Sequence, residues 1–180
     1  MQRIVIVGGG AGGLELAVRL GNSLGKRQKA RITLIDAVRT HVWKPLLHQV
    51  AAGTLDSHAD ELEYFALARK HHFDFRLGRM DGLSRTQREV SLAPTVDEDG
   101  EQVLPRQTVA YDQLVLALGS QTNDFGTPGA REHCVMLDTP AAAERFHRLL
   151  INSCLRAQAK AKAAGDDRDH CRKFAAVELA

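Results

Sequence analysis

The sequence predicts an α/β fold built on a parallel sheet, and three observations favour this fold class. An apolar run at Ile4–Val7 leads into a glycine-rich turn and then into a helical stretch. A second apolar run, Ile32–Asp36, follows that helix and ends in an acid. A third, within Tyr111–Ser120, also runs into a glycine. Apolar runs separated by helices are typical of parallel strands that are buried on both faces.

The turn after the first strand has the spacing G-x-G-x-x-G. Gly8 permits the tight turn out of the strand at residues 2–7, and Gly10 lets a pyrophosphate approach the backbone. Gly13 lets the helix predicted over residues 12–24 pack closely on the sheet. The free N–H groups at the start of that helix attract anions. The pattern therefore predicts that a dinucleotide binds here.

An acid at the end of the second strand strengthens this hypothesis. Asp36 lies 23 residues after Gly13, close to the spacing of about 20 that is usual for the ribose-binding acid. Its carboxylate would accept hydrogen bonds from a ribose diol and would repel a 2′-phosphate. The alternative is a glycine-rich turn beside an exposed acid. It requires strand, glycines, helix, strand and acid to align by accident.

Composition narrows the class of protein. The chain has 180 residues, enough for about one domain, and its 24 basic and 22 acidic residues are too balanced to indicate nucleic-acid binding. Three cysteines without C-x-x-C spacing indicate a reducing compartment and predict no metal site. No run reaches 18 apolar residues, so we expect no membrane span.

The middle of the chain predicts smaller elements. Residues 41–56 have no clean period and are interpreted as a loop. Residues 59–70 are predicted to form an amphipathic helix with Leu62, Phe65, Ala66 and Arg69 on one side. A half-buried strand is predicted at 73–77, followed by two or three short strands within 79–109.

The Asp99–Gly100 pair predicts a hairpin among these short strands. Such a β-meander would replace the crossover helix of a simple dehydrogenase. A last helix is predicted from Thr139–Pro140 to about Ala164, with Thr139 as its N-cap.

Together these features resemble the N-terminal part of the type II NADH:quinone oxidoreductases, which are single-subunit flavoproteins of respiratory membranes. The resemblance covers residues 1 to about 155. Of the five matching stretches, the one at 41–56 is the most specific. The matching stretches are IVIVGGGAGGLELA at 4–17, ITLID at 32–36, HVWKPLLHQVAAGTLD at 41–56, YDQLVLALGS at 111–120 and NDFGTPG at 123–129.

The resemblance implies a glutathione-reductase-like FAD/NAD(P)-binding fold, with a Rossmann-type parallel sheet and a β-meander, here incomplete. It also implies an FAD cofactor. In the family, NADH passes a hydride to the flavin and the electrons then pass to quinone. Members lie on the cytoplasmic face of the inner membrane, attached through a C-terminal part. Disulfide reductases of this fold carry a cysteine pair where residues 37–56 hold none.

The resemblance also assigns cofactor-binding residues, but no catalytic residue. The glycine turn would bind the FAD pyrophosphate, and Asp36 would bind the adenosine ribose. Lys44 would approach the flavin, and the Met80 backbone, at the end of the first strand of the meander, would hold the adenine. Ala117 and Gly119 would form a second flavin contact. The full set is Gly8, Gly9, Gly10, Ala11, Gly12, Gly13, Asp36, Lys44, Met80, Ala117 and Gly119.

The end of the chain departs from the family pattern. Ala176–Ala180 resembles the end of a second glycine fingerprint, for NADH, but the glycines before it are missing. Glu178 therefore receives little functional weight. We expect a truncated or internally deleted chain that oxidises no NADH alone. Its predicted parts are an FAD-binding domain at 1–137, a linking helix at 138–164 and a remnant of an NADH-binding domain at 165–180.

Two other functions remain open at this stage. One is an NAD-binding dehydrogenase of simple Rossmann type, which the meander and the lack of Tyr-x-x-x-Lys argue against. The other is a non-catalytic nucleotide-binding or interaction module. For Trp43, a core anchor and a flavin-stacking residue are equally favoured.

Overall fold

The computed structural model describes residues 1–41, 43–56, 62–97 and 99–163. Contacts between residues divide the chain into two compact units. The first unit spans Met1–Trp43 and Glu61–Ser120, and the second spans Lys44–Asp60 and Gln121–Ala180. The predicted remnant at 165–180, with Glu178, lies outside the described residues.

Strands dominate the first unit, and helices dominate the second. The strands are β1 Gln2–Val7, β2 Ala30–Asp36, β3 Thr40–His41, β4 Leu62–Glu63, β5 Asp74–Leu77, β6 Met80–Ser84, β7 Glu89–Leu92, β8 Thr95–Val96, β9 Gln102–Leu104, β10 Gln107–Ala110 and β11 Gln113–Leu116. The helices are α1 Ala11–Leu20, α2 Leu47–Ala52, α3 Tyr64–His71, α4 Ala130–His133 and α5 Pro140–Ala163.

A parallel sheet forms the centre of the first unit, as predicted. Its strand order is β11-β1-β2-β5, and every neighbouring pair is parallel. Ile6 in β1 lies opposite Leu34 in β2 and Val115 in β11. Because the strands are parallel, the glycine turn after β1 and Asp36 at the end of β2 lie at the same edge.

The two faces of this sheet are covered by different layers, which explains why β1 and β2 are apolar throughout. On one face, Ile4, Ile6, Ile32 and Leu34 pack with side chains of α1 and α3. The other face packs against the antiparallel β6, β7 and β10. Its buried residues are Val5, Val7, Ile35, Val90, Leu92, Val109 and Tyr111.

The predicted β-meander is confirmed and has more strands than expected. Within 79–97 and 99–109, β6 and β10 pair with β7, and β8 pairs with β9. The hairpin between β8 and β9 turns at Gly100, whose φ is +84°. Asp97 supports the turn, because its Oδ1 accepts hydrogen bonds from the Asp99 and Glu101 amides.

The helix predicted at 59–70 is partly wrong. The structure begins α3 at Tyr64, whereas Leu62 and Glu63 are extended and pair with β3. The buried residues of α3 are Tyr64 and Ala68, and Phe65 is 49% exposed. Because Leu62 and Glu63 pair with β3, the helix cannot begin before Tyr64. The buried residues of α3 therefore differ from the predicted apolar side. Residues 57–61 lie outside the described part of the chain.

The helix predicted at 12–24 begins at Ala11 and is α-helical to Leu20, and a π-helical turn over Gly21–Gly25 extends it. A Cβ at Gly21 would overlap the His71 carbonyl oxygen, and one at Gly25 would overlap that of His72. The turn therefore packs directly on the end of α3. That close backbone contact requires glycine at both positions.

The second unit contains the predicted long helix. The α5 helix begins at Pro140, and the Ala142 amide donates to Thr139 Oγ1 at 3.2 Å, which confirms the predicted N-cap. It packs against α2, where His147 occupies the space beside Gly53. The stretch 41–56, predicted as a loop, contains a 3-10 turn at Lys44–Leu46 and α2.

Trp43, at the end of the first of the two segments that form the first unit, is 54% exposed, so the interpretation as a core anchor is wrong. Of the helices in residues 1–41, 43–56, 62–97 and 99–163, none combines the length and the apolarity needed to cross a bilayer.

An ion pair joins the starts of two neighbouring strands. Arg3 Nη2 donates to Asp112 Oδ1 at 2.9 Å, and the Arg3 amide donates to Oδ2 at 2.7 Å. The hydrogen bond from the Arg3 guanidinium and that from its amide lower the pKa of Asp112 to about 2. The pair therefore links β1 to β11 only while this carboxylate is ionised.

We expect this link to weaken in acid. A carboxylate whose folded pKa lies below its unfolded value, 3.8, stabilises the fold above that value, and the contribution is lost as the pH falls towards 2. Asp112→Asn should therefore lower the urea midpoint at neutral pH by more than it does near pH 2. A difference between the two proteins that is constant across this range would contradict the assignment.

Candidate functional site

The glycine turn leaves β1 in a conformation that only glycine adopts easily. Gly8 has φ +103°, and its amide donates to the Ile35 carbonyl at 2.8 Å. A Cβ at Gly8 would overlap the carbonyl oxygen of Ala117. The first glycine is thus required by its own dihedral angle and by the neighbouring backbone.

The first turn of α1 packs closely on the glycine turn. A Cβ at Gly13 would overlap the Gly8 carbonyl oxygen and would lie 3.2 Å from the Cβ of Ala117. This confirms the packing role that was predicted for the third glycine. The helix is therefore pressed against the sheet edge, with its N-terminus beside the ends of β1 and β11.

The outer side of the same turn is open. Gly10, Ala11 and Gly12 are exposed, and a Cβ at Gly10 or Gly12 would meet nothing within 4 Å. The N-terminus of α1 has no side-chain cap and no acid in its first turn. The first intrahelical bond is that from the Leu14 amide to the Gly10 carbonyl, at 2.9 Å. An uncapped helix N-terminus of this kind suits an anion.

Asp36 lies directly against the glycine turn. Its Oδ2 accepts the Gly9 amide at 2.5 Å, and its Oδ1 accepts the Val38 amide at 3.0 Å. The Gly9 N–H is therefore engaged by protein and does not face the open side. A carboxylate has about four lone-pair sites, so the half-buried Asp36 retains acceptor capacity for a hydroxyl group.

Tyr64 belongs to the site, although the sequence did not indicate it. Its hydroxyl donates to the Gly9 carbonyl at 2.7 Å, and its ring fills the space that a Cβ at Gly9 would need. Tyr64 is only 2% exposed. Burial and the charge of Asp36 both raise its pKa. Tyr64 is 55 residues from Gly9 with no motif linking them, and the predicted helix face pointed to Phe65 instead.

Of the remaining predicted residues in the first unit, two lie at the same sheet edge. The Ala117 amide donates to the Val7 carbonyl at 2.8 Å, which continues the pairing beyond β11. Gly119 is exposed with φ +72°. Met80 lies at the N-terminal end of β6, the first strand of the meander, and packs against the core cluster there. In the meander, Met80 pairs with Leu92 of β7. Its contact with the adenine stays a prediction.

Lys44 lies in the second unit, in a compact polar cluster. Its Nζ lies 2.7 Å from Asp138 Oδ1. The same carboxylate accepts the Thr122 amide at 3.1 Å and its hydroxyl at 3.0 Å. The hydrogen bond from Lys44, followed by that from the Thr122 amide, holds the pKa of Asp138 below its usual value. The role of Lys44 beside a flavin stays a prediction.

A parallel sheet covered on both faces, with an open glycine turn after its first strand, is the arrangement of Rossmann-type dinucleotide-binding folds. A family model described as pyridine nucleotide-disulphide oxidoreductase matches residues 2–160. The chain belongs to this family. The predicted fold class is thereby confirmed.

More specific relatives agree with the resemblance found in the sequence. The chain is 46% identical over 151 residues to a type II NADH:quinone oxidoreductase of Haemophilus influenzae, which covers 83% of this chain and 34% of that protein. It is 32% identical over 127 residues to type II NADH:quinone oxidoreductase NdhA of Mycobacterium tuberculosis, covering 69% of this chain and 24% of that protein. These matches confirm the resemblance to type II NADH:quinone oxidoreductases.

Solved structures support the fold. The structure of NDH2 from Plasmodium falciparum in complex with NADH superposes with a TM-score of 0.65 at 21% identity, covering 81% of this chain and 28% of that one. The chain thus spans about a third of the length, or less, of the relatives that it matches.

Packing at the glycine turn generates a paired prediction. Gly13→Ala should destabilise the fold by about 1–3 kcal/mol or more, because the new methyl overlaps backbone that has no room to move. Gly12→Ala should change stability by no more than about 1 kcal/mol, because it is exposed and open. Urea unfolding of both variants checks this. Equal losses would contradict the packing described for α1.

Proposed function

We propose that this chain supplies the FAD-binding part of a flavoprotein of the type II NADH:quinone oxidoreductase kind. The FAD diphosphate would lie against Gly10–Gly12 and the N-terminus of α1, and the adenosine ribose against Asp36. One observation carries the proposal. Gly8, Gly9 and Gly13 are closely packed, whereas Gly10–Gly12 is exposed and the helix N-terminus there is uncapped.

Asp36 supports a ligand with a free ribose diol. It already accepts two backbone amides, and a 2′-phosphate beside this carboxylate would meet a second negative charge. The antiparallel meander on one sheet face favours FAD over NAD as the resident dinucleotide, because a simple dehydrogenase would have a crossover helix there.

The remaining roles are proposed from the family. Lys44, Ala117 and Gly119 would contact the flavin, and the Met80 backbone would approach the adenine. Residues 1–137 would form the FAD-binding domain. When bound, FAD supplies the hydride-accepting and electron-carrying chemistry, and the protein contributes binding, orientation and electrostatics. NADH and quinone would be the substrates, and the cytoplasmic face of the membrane would be the location, as in the type II NADH:quinone oxidoreductases.

A ligand comparison tests the proposal. The purified chain is titrated with FAD, NAD and ADP while its melting temperature and heat of binding are measured. A ligand at a hundredfold excess over Kd should stabilise the fold by about 2.7 kcal/mol. We expect stabilisation by FAD and ADP and a weaker effect from NAD. Stabilisation by NAD alone would indicate the simple dehydrogenase, and no stabilisation by any of them would overturn the proposal.

Gly10 offers a variant that separates binding from folding. Gly10→Ala should leave the melting temperature of the free chain unchanged, because its methyl enters open space. It should weaken FAD and ADP binding at least tenfold, which is about 1.4 kcal/mol, because the methyl lies where the diphosphate would approach.

Gly82→Ala in β6 is the matched control. Its added methyl reaches only ordinary contact distance, 3.4 Å from the Ser91 Cβ, in a different sheet. Unchanged affinity in both variants would place the diphosphate elsewhere.

A further inference from the structure

The Gly9 residue is held by side chains on both sides. Its N–H donates to Asp36 at 2.5 Å, and its carbonyl oxygen accepts the Tyr64 hydroxyl at 2.7 Å. Gly9 is buried between the exposed Gly10 and the sheet. Both polar groups of this residue are therefore satisfied from the protein side, and neither is available to a ligand.

Peptide geometry transmits this arrangement to Gly10. The Gly9 carbonyl and the Gly10 N–H belong to one planar trans peptide, so they point in opposite directions. Because Tyr64 binds the carbonyl in the buried interior, the Gly10 N–H points away from Tyr64. Gly10 itself is exposed, and a Cβ there would meet nothing within 4 Å. The interior hydrogen bond thus sets the direction of an N–H in the turn.

Tyr64 is well suited to hold a fixed position. It is 2% exposed, and its ring packs against Phe75 with centroids 4.9 Å apart. Its amide donates to the Arg39 carbonyl at 3.0 Å, which attaches the start of α3 to the segment after β2. The hydroxyl also stays protonated, because burial and the Asp36 charge raise its pKa. It remains a donor to Gly9 across the ordinary pH range.

We propose that Tyr64 is a positioning residue for the dinucleotide diphosphate: its hydroxyl orients the Gly9–Gly10 peptide so that the Gly10 N–H faces the ligand. This inference rests on the proposed function. It adds a residue on α3, outside the glycine fingerprint, that determines how tightly the turn binds a diphosphate. Without the hydroxyl, the peptide is free to rotate and to turn its carbonyl oxygen towards the phosphates.

The test compares Tyr64→Phe with the wild-type chain. Phenylalanine keeps the ring but removes the donor to Gly9. The Kd for ADP and FAD should rise at least tenfold when it is measured well below the melting temperature of the variant. Tyr111→Phe is the matched control, because Tyr111 is buried in the other core cluster. Even if Tyr111→Phe loses stability, its Kd for ADP and FAD should equal that of the wild-type chain.

The outcomes separate this inference from the proposed function. If wild type binds ADP and Tyr64→Phe binds it equally well, the positioning role is wrong and the proposed site stands. If wild type binds neither ADP nor FAD, the proposed function fails and the inference with it. A fall in melting temperature without a change in Kd would assign Tyr64 a packing role only.

If Tyr64→Phe does not fold, a second measurement on the wild-type chain tests the same inference. In ¹⁵N-resolved spectra of the wild-type chain titrated with ADP, the Gly10 amide should shift strongly, whereas the Gly9 amide, bonded to Asp36, should shift little. The reverse pattern would overturn the inferred orientation.

Discussion

The contact between the Gly8 carbonyl and the first turn of α1 is the constraint on which the site depends. A Cβ at Gly13 would overlap the Gly8 carbonyl oxygen, and a Cβ at Gly8 would overlap the Ala117 carbonyl oxygen, so neither position accepts a side chain. Three backbone segments therefore meet at one sheet edge. Because backbone cannot rearrange as a side chain does, this contact fixes where the helix N-terminus lies and leaves Gly10 and Gly12 facing outwards.

The two-sided cover of the sheet gives that edge its rigidity. Helices α1 and α3 pack on one face, and the meander packs Val90, Leu92 and Val109 on the other. Apolar side chains on both faces of β1 hold the strand ahead of the glycine turn in place. The same arrangement distinguishes this chain from a simple dehydrogenase, in which a crossover helix takes the place of the meander.

Local patterns predicted much of this architecture. The glycine spacing, the apolar runs and the Asp99–Gly100 hairpin each depend on neighbouring residues, so they were readable from the sequence. The errors arose where distant contacts decided the outcome. Leu62 pairs with β3 instead of joining a helix, and Trp43 is exposed despite its size.

The sequence by itself determined the class of fold, the glycine turn after β1 and the acid at the end of β2, because each is encoded in short-range spacing and backbone preference. Only the tertiary structure decided which groups of that turn are available. The Gly9 amide and carbonyl are engaged by Asp36 and by Tyr64, residues that lie 27 and 55 positions away. Hydrogen bonds between such distant residues depend on how helices and strands pack, which no local pattern specifies.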